Sequence, residues 1–380
     1  MEKILNFCEI SGSSVKIYEG KRKYIATGDI LNNKIISFEE VDYKNKPSRA
    51  NQNVEIGDVI FAKMQNTKKV IIITKENVDN IYSTGFYVIK PKKNVTSEFL
   101  FWLFNSKKFN DDKDKNCKGA TQKAINNEGL NKIAINTLPT IQEQLKIVSK
   151  LDKVQEIIDI REKQIEQLDE LIKSQFVEMF GDININDKKW SEDILKNNLS
   201  VIGGYAFKSS EFQESGIPIL RIGNINTGKF RTKDLMFWKE DETLESYAIY
   251  PNDVLISLTG TVGKEDYGNI CIIGNDYPKY YLNQRNAKLN ISETLNKEYI
   301  SYALRIPEIK RRLTGISRGV RQANISNRDI ENLKIPIPPI ELQNKFAEFV
   351  KQIDKQKFEI QKSLEETQKL QDSLMNKYFG

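Results

Sequence analysis

The longest regular pattern of apolar and polar positions lies near the middle of the chain, from Thr140 to Gly181. Mostly apolar residues recur there at alternating spacings of four and three, which is the a/d pattern of a coiled coil. A single charged residue, Arg161, interrupts the pattern. Thr140 and Glu143 form a capping-box sequence, and Gly181 suits the end of a helix. The pattern predicts one long helix whose apolar seam consists of Ile147, Leu151, Val154, Ile158, Ile165, Leu168 and Ile172.

A second copy of this pattern lies between Pro339 and Gly380. Its positions repeat those of the first pattern after a constant interval, as 346 repeats 147, and some of them are polar. Because a coiled-coil seam needs a partner helix and the termini of a globular domain lie close together, we expect the two helices to pair in antiparallel fashion. Two unrelated surface helices are the alternative. The apolar members of the second seam are Phe346, Val350, Ile353, Ile360, Leu364 and Leu374.

The segments that precede the two helices also repeat one another. GATQKAIN (119–126) corresponds to GVRQANIS (319–326), and EFLFWLF (98–104) corresponds to EYISYAL (298–304). Short runs rich in β-formers, bounded by Gly, Asn and Pro, predict mainly β domains. The predicted fold class is α+β: two similar mixed, mainly β domains separated by an antiparallel pair of long coiled-coil helices, with pseudo-two-fold symmetry. The predicted boundaries are 1–139 for the first domain, 140–181 for the central helix, 182–338 for the second domain and 339–380 for the C-terminal helix.

Composition narrows the classes of function that the chain can have. No histidine occurs, so the commonest general base and metal ligand is missing, and we expect neither catalytic residues nor a metal site. The three cysteines are far apart and predict a reducing, cytoplasmic location. The sequence contains no apolar run of about 18 residues that would suggest a membrane span. The net charge of +6 permits contact with nucleic acid without requiring it.

Motifs that would indicate an enzyme are also missing. We find no Walker-type phosphate loop and no nucleophile elbow. The segment TGTVGK (259–264) is the nearest approach to a glycine-rich phosphate loop, but it occurs in one half only, and a simple turn is the favoured interpretation. The N-P-P-[FY] tetrapeptide with which amino-methyltransferases hold a flipped base is absent.

Basic and amide side chains indicate instead that the chain binds a nucleic-acid duplex. Lysines or arginines cluster at corresponding places in both halves, which suggests phosphate contacts, although a solvated basic face is the alternative for either cluster alone. Arg suits guanine, and Asn or Gln suits adenine, through two hydrogen bonds. Some of these residues, Asn224 among them, could simply hold turns. The candidate DNA contacts are Lys21, Arg22, Lys23, Arg49, Lys118, Thr121, Gln122 and Lys123 in the first half, and Lys208, Arg221, Thr259, Thr261, Lys264, Asn283, Gln284, Arg285, Arg311, Arg312, Arg318, Arg321 and Gln322 in the second.

The order and duplication of these segments resemble the specificity subunits of type I restriction–modification systems. The resemblance covers the whole chain, although the first domain lacks the GYAF and LTGTVGK stretches of the second. It is strongest in GGYAFKSSEF (203–212), GIPILRIGNI (216–225), NDVLISLTGTVGK (252–264), YLNQRNAKL (281–289) and IPIPPIELQNKFAEFV (335–350).

The resemblance implies a specific role. Each globular domain would be a target-recognition domain that reads one half of a bipartite sequence in double-stranded DNA, and the two helices would be spacers that set the gap. Two modification subunits would dock, bind S-adenosylmethionine and methylate adenine, and restriction subunits would cleave. This chain would itself hold no cofactor and catalyse nothing. A methyltransferase and a coiled-coil scaffold without a nucleic-acid role are the competing hypotheses.

Overall fold

The computed structural model describes residues 1–264, 266–315 and 322–380, so the predicted contacts Arg318 and Arg321 lie outside the described residues. The chain divides into two compact units. Unit 1 comprises Met1–Lys163 and Ile360–Gly380, and unit 2 comprises Gln164–Glu359. Each unit therefore contains one globular body and a part of each long helix.

Unit 1 is built from short strands and a few helices. Its strands are β1 (Glu2–Lys3), β2 (Cys8–Ser11), β3 (Arg22–Ile25), β4 (Ile30–Leu31), β5 (Lys34–Ile35), β6 (Glu39–Val41), β7 (Ala50–Gln52), β8 (Val59–Ala62), β9 (Val70–Ile72), β10 (Ile81–Ser83), β11 (Phe86–Pro91), β12 (Cys117–Lys118), β13 (Ala124–Ile125) and β14 (Ala134–Ile135). Its helices are α1 (Ile4–Phe7), α2 (Ser97–Asn105), α3 (Lys107–Lys115), α4 (Asn127–Leu130) and the first part of α5 (Ile141–Phe180).

Two four-stranded sheets form the centre of unit 1. One has the order β2-β11-β8-β9 and is antiparallel throughout. The other has the order β6-β3-β10-β7, and its central strands β3 and β10 run parallel. Helix α2 packs its apolar face on the first sheet, because Phe99, Leu100, Leu103 and Phe104 are buried against residues such as Phe61. The spacing of these four residues in the sequence gives α2 this single apolar face.

Unit 2 repeats this plan. Its strands are β15 (Glu192–Ile194), β16 (Leu199–Gly203), β17 (Ile217–Leu220), β18 (Met236–Trp238), β19 (Ala248–Ile249), β20 (Val254–Ser257), β21 (Thr259–Thr261), β22 (Ile270–Ile272), β23 (Tyr280–Leu282), β24 (Asn286–Ile291), β25 (Gln322–Asn324) and β26 (Lys334–Pro336). Its helices are the last part of α5, α6 (Lys297–Ala303), α7 (Pro307–Thr314), α8 (Asn327–Glu331) and the first part of α9 (Ile340–Phe379).

The two sheets of unit 2 correspond strand by strand to those of unit 1. The antiparallel sheet has the order β16-β24-β20-β22, and the mixed sheet has the order β18-β17-β23-β19, with β17 parallel to β23. A short pair, β15 with β26, matches the pair β1 with β14. The predicted fold class, with two similar mixed domains and two long helices, is confirmed.

The long helices begin and end where their sequence signals lie. The Thr140 amide donates to the Glu143 carboxylate at 2.9 Å, and the Glu143 amide donates to the Thr140 hydroxyl at 3.4 Å, which is the expected capping box. Helix α5 ends at Phe180, and Gly181 follows with φ of +74°, a left-handed conformation that glycine adopts without strain.

Within each unit the paired helical segments run antiparallel. In unit 1, Gln155 is hydrogen-bonded to Gln371, whereas Arg161, further along α5, reaches the earlier residue Ser363 of α9. In unit 2, Asp169 pairs with Lys357, and the Phe176 ring lies 5.3 Å from the Phe346 ring. Most of the seam is buried: Ile147, Leu151, Val154, Ile158, Ile172, Phe346, Val350, Ile353 and Leu364 are buried, while Ile165, Leu168, Ile360 and Leu374 are half-buried.

Polar residues interrupt the apolar seam, and each of them has a defined partner on the other helix. The Arg161 guanidinium donates to the Ser363 carbonyl at 2.8 Å and to the Thr367 hydroxyl. The Lys357 ammonium lies 2.6 Å from the Asp169 carboxylate. Such pairs fit only one alignment of the two helices, so they specify the register.

A buried glutamine joins each globular body to the start of its long helix. In unit 1 the Gln144 side chain accepts from the Thr96 amide at 3.0 Å and donates to the carbonyls of Asn94 and Pro139. Gln343 does the same in unit 2, accepting from the Asn296 amide at 2.8 Å and donating to a proline carbonyl at 2.7 Å. The part of the chain that the structure describes contains no helix long and apolar enough to cross a membrane.

Candidate nucleic-acid interface

In unit 2 the parallel strands β17 and β23 end side by side, and several predicted DNA contacts follow them. Asn283 comes directly after β23, and its amide donates to the Leu220 carbonyl at the end of β17. Arg221 comes directly after Leu220. Because parallel strands end at the same edge of a sheet, the structure brings Arg221 and Asn283 together at this carboxyl edge.

The turn formed by Asn283, Gln284 and Arg285 is held by its backbone. The Gln284 amide donates to the Tyr205 carbonyl at 2.9 Å, and the Asn286 amide closes the turn on the Asn283 carbonyl at 2.9 Å. The side chains of Gln284 and Arg285 are exposed and have no hydrogen-bond or ionic partner among the described residues. A fixed backbone thus presents two free polar side chains.

Strands β21 and β25 extend the same edge. The Leu258 amide donates to the Arg285 carbonyl at 2.9 Å, and the Ile325 amide donates to the Leu258 carbonyl at 2.8 Å. In the β21–β25 ladder, Thr261 stands opposite Gln322 in the backbone register. The predicted contacts Thr259, Thr261 and Gln322 therefore lie beside the Asn283–Arg285 turn, although they are far apart in sequence.

The glycine-containing segment after Thr259 is a turn held by a carboxylate. The Asp266 side chain accepts from the Thr261 amide at 2.8 Å and from the Thr261 hydroxyl at 3.0 Å, and the backbone hydrogen bond is the main cause that lowers the pKa of Asp266. A Cβ on Gly260 would lie 2.3 Å from an Asp266 oxygen, which explains the glycine. An acceptor carboxylate at this place disfavours a bound phosphate, in agreement with the turn interpretation. Lys264 is exposed in the same segment.

Asn224 is a structural residue, one of the two possibilities for it. It is buried, its side chain accepts from the Arg221 amide at 2.9 Å, and it donates to the carbonyls of Arg231 and Lys233. Arg221 also has an internal partner, since its guanidinium donates to the Asp234 carbonyl at 2.9 Å. The bend that Asn224 holds exposes the side chains of Arg231 and Lys233, two cations that sequence reasoning missed.

The arginines of α7 are occupied within unit 2. Arg311 pairs with Glu308 at 2.6 Å, and Arg312 donates to the Lys334 carbonyl at 2.6 Å. Both side chains are nevertheless exposed, so they remain able to approach a polyanion. Lys208 is exposed beside Glu211 at 3.6 Å.

Unit 1 has a corresponding carboxyl edge after β3 and β10. The Lys63 amide donates to the Gly85 carbonyl at 2.8 Å, and the Lys63 ammonium donates to the Thr84 carbonyl at 2.9 Å. The Thr84 amide donates to the Arg49 carbonyl at 2.9 Å. The predicted contact Arg49 therefore lies at this edge together with Lys63 and Thr84, which sequence reasoning missed.

The predicted contacts Gln122 and Lys123 reach the same edge of unit 1. Met64 and Ala124 form an antiparallel bridge that corresponds to the β21–β25 pair of unit 2. The Gln65 amide donates to the Lys123 carbonyl at 3.0 Å, and the Gln122 side chain touches the Met64 sulfur at 2.8 Å. Thr121 and Lys118 are exposed nearby in sequence, and Lys118 is paired with Glu128 at 2.8 Å.

The cluster Lys21–Lys23 begins at the opposite end of β3. Arg22 donates to the carbonyl of Asp79, a residue that precedes β10, at 2.9 Å. Lys21 lies 3.7 Å from the Glu40 carboxylate, and Lys23 lies 4.4 Å from the centre of the Phe38 ring. The structure therefore separates this cluster from the edge that carries Arg49, Gln122 and Lys123.

A helix end supports the strand-connecting loop in both units. In unit 1 the buried Lys113 of α3 donates to the Thr67 carbonyl at 2.5 Å, and Asp114 accepts from the Asn66 amide at 3.1 Å. Burial lowers the pKa of Lys113. In unit 2 the Tyr267 hydroxyl donates to the Thr314 carbonyl at the end of α7 at 2.9 Å. Both loops are thus tied to the globular body.

Comparison with known proteins gives one family. A family model described as "Type I restriction modification DNA specificity domain" matches residues 6–170 and 186–370. The type I restriction enzyme MjaVIII specificity subunit of Methanocaldococcus jannaschii is 28% identical over 256 residues, which cover 63% of this chain and 60% of that protein. The chain thus spans less than two thirds of that relative's length.

Two solved structures share the fold. The S subunit of a type I restriction-modification system from M. genitalium has a TM-score of 0.57 and 17% identity, over 100% of this chain and 95% of that chain. A chain from work on complex assembly and conformational transition of the type I R-M system also has a TM-score of 0.57, with 21% identity over 98% of this chain and 97% of that one.

Proposed function

The chain belongs to the family of type I restriction modification DNA specificity domains, and from this premise we propose that it is the sequence-reading subunit of a type I restriction–modification complex. Each of its two globular bodies reads one half of a bipartite target in double-stranded DNA. The observation that best supports this is the repeated edge: the same strand ends, in both units, present exposed polar side chains on a hydrogen-bonded backbone.

The chemistry of the two edges suits duplex DNA. In unit 2, Gln284 and Arg285 offer the amide and guanidinium groups that read adenine and guanine through two hydrogen bonds. Exposed cations such as Arg231 and Lys233 are suited to contacts with phosphates. Phosphate contacts position a protein on the duplex, whereas base contacts specify the sequence. Both kinds of group occur on each unit.

We further propose that catalysis resides in partner subunits. Two modification subunits bind S-adenosylmethionine and methylate adenine at the site that this chain selects, and restriction subunits cleave. The chain itself holds no cofactor and works in the cytoplasm. Among the described residues there is no cluster of three or more histidine, cysteine, aspartate or glutamate side chains able to hold a metal ion.

A binding and activity assay on the purified chain tests this proposal. We expect weak binding to random duplex DNA, with an affinity that falls steeply as salt increases because counterions are released from the phosphates. We expect no methyl transfer or cleavage by the chain alone, and adenine methylation at one bipartite motif when modification subunits are added. Methyl transfer by the chain alone would contradict the non-catalytic role. Binding that does not respond to salt would contradict the DNA interface.

A further inference from the structure

We infer that unit 1 reads its half of the DNA target with the turn Ser83–Gly85, and that Thr84 and Arg49 are its specificity-determining residues. Unit 2 uses the corresponding turn, Asn283–Arg285, with Gln284 and Arg285. This inference rests on the proposed function and adds to it which side chains read bases in each half.

The two turns occupy the same place in the fold. Each lies at the end of the second strand of the parallel pair, β10 in unit 1 and β23 in unit 2, and each leads into the longest strand of the antiparallel sheet. Each turn is also hydrogen-bonded to the residue that follows a central strand of the antiparallel sheet, β8 in unit 1 and β20 in unit 2. The Lys63 amide donates to Gly85, and the Leu258 amide donates to Arg285. A loop crossing from the C-terminal part of each body then completes the edge, through Ala124 or through β25.

The backbone of the unit 1 turn is fixed by hydrogen bonds. The pairing of β10 with β7 shifts register between Tyr82 and Ser83, and such irregularities redirect side chains at the ends of strands. The Gly85 amide donates to the Ser83 hydroxyl at 3.1 Å, and the Lys63 ammonium fixes the Thr84 carbonyl. A reading group must be held close to its productive geometry, and this turn meets that requirement.

The side chains of the two proposed reading residues are available to bind DNA. Thr84 and Arg49 are exposed, and neither side chain has a hydrogen-bond or ionic partner in the described ranges. β7 runs antiparallel to β10, so Arg49, which precedes β7, stands beside the end of β10, where its carbonyl accepts from the Thr84 amide. An arginine and a hydroxyl side by side match a guanine and a neighbouring base in the major groove. Lys63 acts as a positioning residue, since its ammonium is committed to the turn.

The strongest rival in unit 1 is the cluster Lys21–Lys23, and its surroundings argue against base reading. Arg22 is held by the Asp79 carbonyl, and Lys21 lies next to Glu40. Arg22 contacts the residues that precede β10, whereas Thr84 follows β10, so the two positions lie at opposite ends of this strand. Removing a charge from this cluster should leave the sequence preference unchanged.

The test is the methylated motif produced by the complete complex in its host, with the chain carrying Arg49→Ala, Thr84→Val, Gln284→Ala or Arg285→Ala. Arg49→Ala and Thr84→Val should relax the same half of the motif, and the two unit 2 variants should relax the other half. Loss of a two-pronged base contact corresponds to about 5- to 150-fold weaker discrimination at one base pair. Lys21→Ala, which removes the same charge as Arg49→Ala, is the matched control and should keep the motif unchanged.

The possible outcomes separate the inference from the proposed function. A wild-type complex that yields no methylated motif refutes both. A wild-type motif that survives unaltered in the Arg49 and Thr84 variants overturns the inference alone. A relaxed motif in Lys21→Ala would also overturn it. Folding is controlled internally, because a variant that still reads the unmutated half of the motif must be folded and assembled.

Discussion

Individual buried residues fix the places where each long helix leaves its globular body. Gln144 and Gln343 are fully buried, and each uses its amide to satisfy backbone groups at the entrance to a long helix. Buried backbone groups left without partners are costly. A glutamine at the fourth helical position therefore fixes how the helix leaves its globular body.

Replacing Gln144 by alanine should destabilise unit 1 because it removes three hydrogen bonds and leaves the Thr96 amide without a partner. A cost of about 3 kcal/mol is expected for buried groups of this kind. Urea denaturation measures it. The exposed neighbour Gln142 is the matched control, and Gln142→Ala should change stability by less than about 0.5 kcal/mol. Equal midpoints for the two variants would contradict the role given to Gln144.

The buried Lys113 predicts a pH dependence. Burial lowers its pKa in the folded state, so the unfolded chain binds the proton more tightly, and stability rises with pH from the folded pKa up to about 10.5. Lys113→Leu copies the buried Leu313 of unit 2 and removes this dependence. The difference in urea midpoint between Lys113→Leu and the wild type should therefore change in favour of the wild type when the pH is raised from 7 to 9.5. A difference between the two proteins that stays constant would contradict a titrating, buried ammonium.

Secondary-structure elements were largely predictable where their pattern is long. The seams of α5 and α9 repeat over many turns, so periodicity, cap and terminal glycine all agree. The carboxyl edges were not predictable in the same way. Arg49, Lys63 and Thr84 are separated by long stretches of sequence and meet only because β7, β8 and β10 end together. Position along the chain suggested Lys21–Lys23 as readily as Arg49, since composition does not tell which end of a strand a residue occupies.

Packing of α5 in unit 2 depends on an aromatic cluster. Phe176 is buried among Phe180, Tyr299 and Phe346, with ring centres 4.9 to 5.7 Å from its own. Phe176→Ala should cost about 3 to 5 kcal/mol, because it removes buried surface and leaves a cavity. Val177, the next residue on the helix, is 57% exposed, and Val177→Ala is the matched control. Thermal or urea unfolding distinguishes them, and similar losses in both variants would contradict the cluster's role.

The molecule as a whole consists of two similar halves, and the repeat in its sequence agrees with the repeat in its sheet topology. Each half has the same two sheet orders, the same parallel pair and the same glutamine at the start of a long helix. Such a plan suits a bipartite target, because each half needs only its own edge. If the proposed function is right, the length of the two helices sets the gap between the two half-sites.

Shortening both helices by one heptad should change the gap in the target. Deleting 156–162 and 359–365 keeps the phase of each seam and removes the partners Arg161 and Ser363 together. The loss is about 10 Å of helical rise, or about three base pairs at about 3.4 Å each. Mapping of methylated adenines should show the same half-sites with a smaller gap, unless rotation of one half-site abolishes activity. A functional protein with an unchanged gap would refute the spacer role.

The most direct test of the DNA-reading role is a map of methylated adenines in the host genome with the gene intact, deleted and restored. The account predicts one bipartite motif that is methylated in the intact strain, lost in the deletion and regained when the gene returns, while the modification subunits are expressed throughout. A methylation map that is identical in all three strains would contradict the claim that this chain selects the sequence.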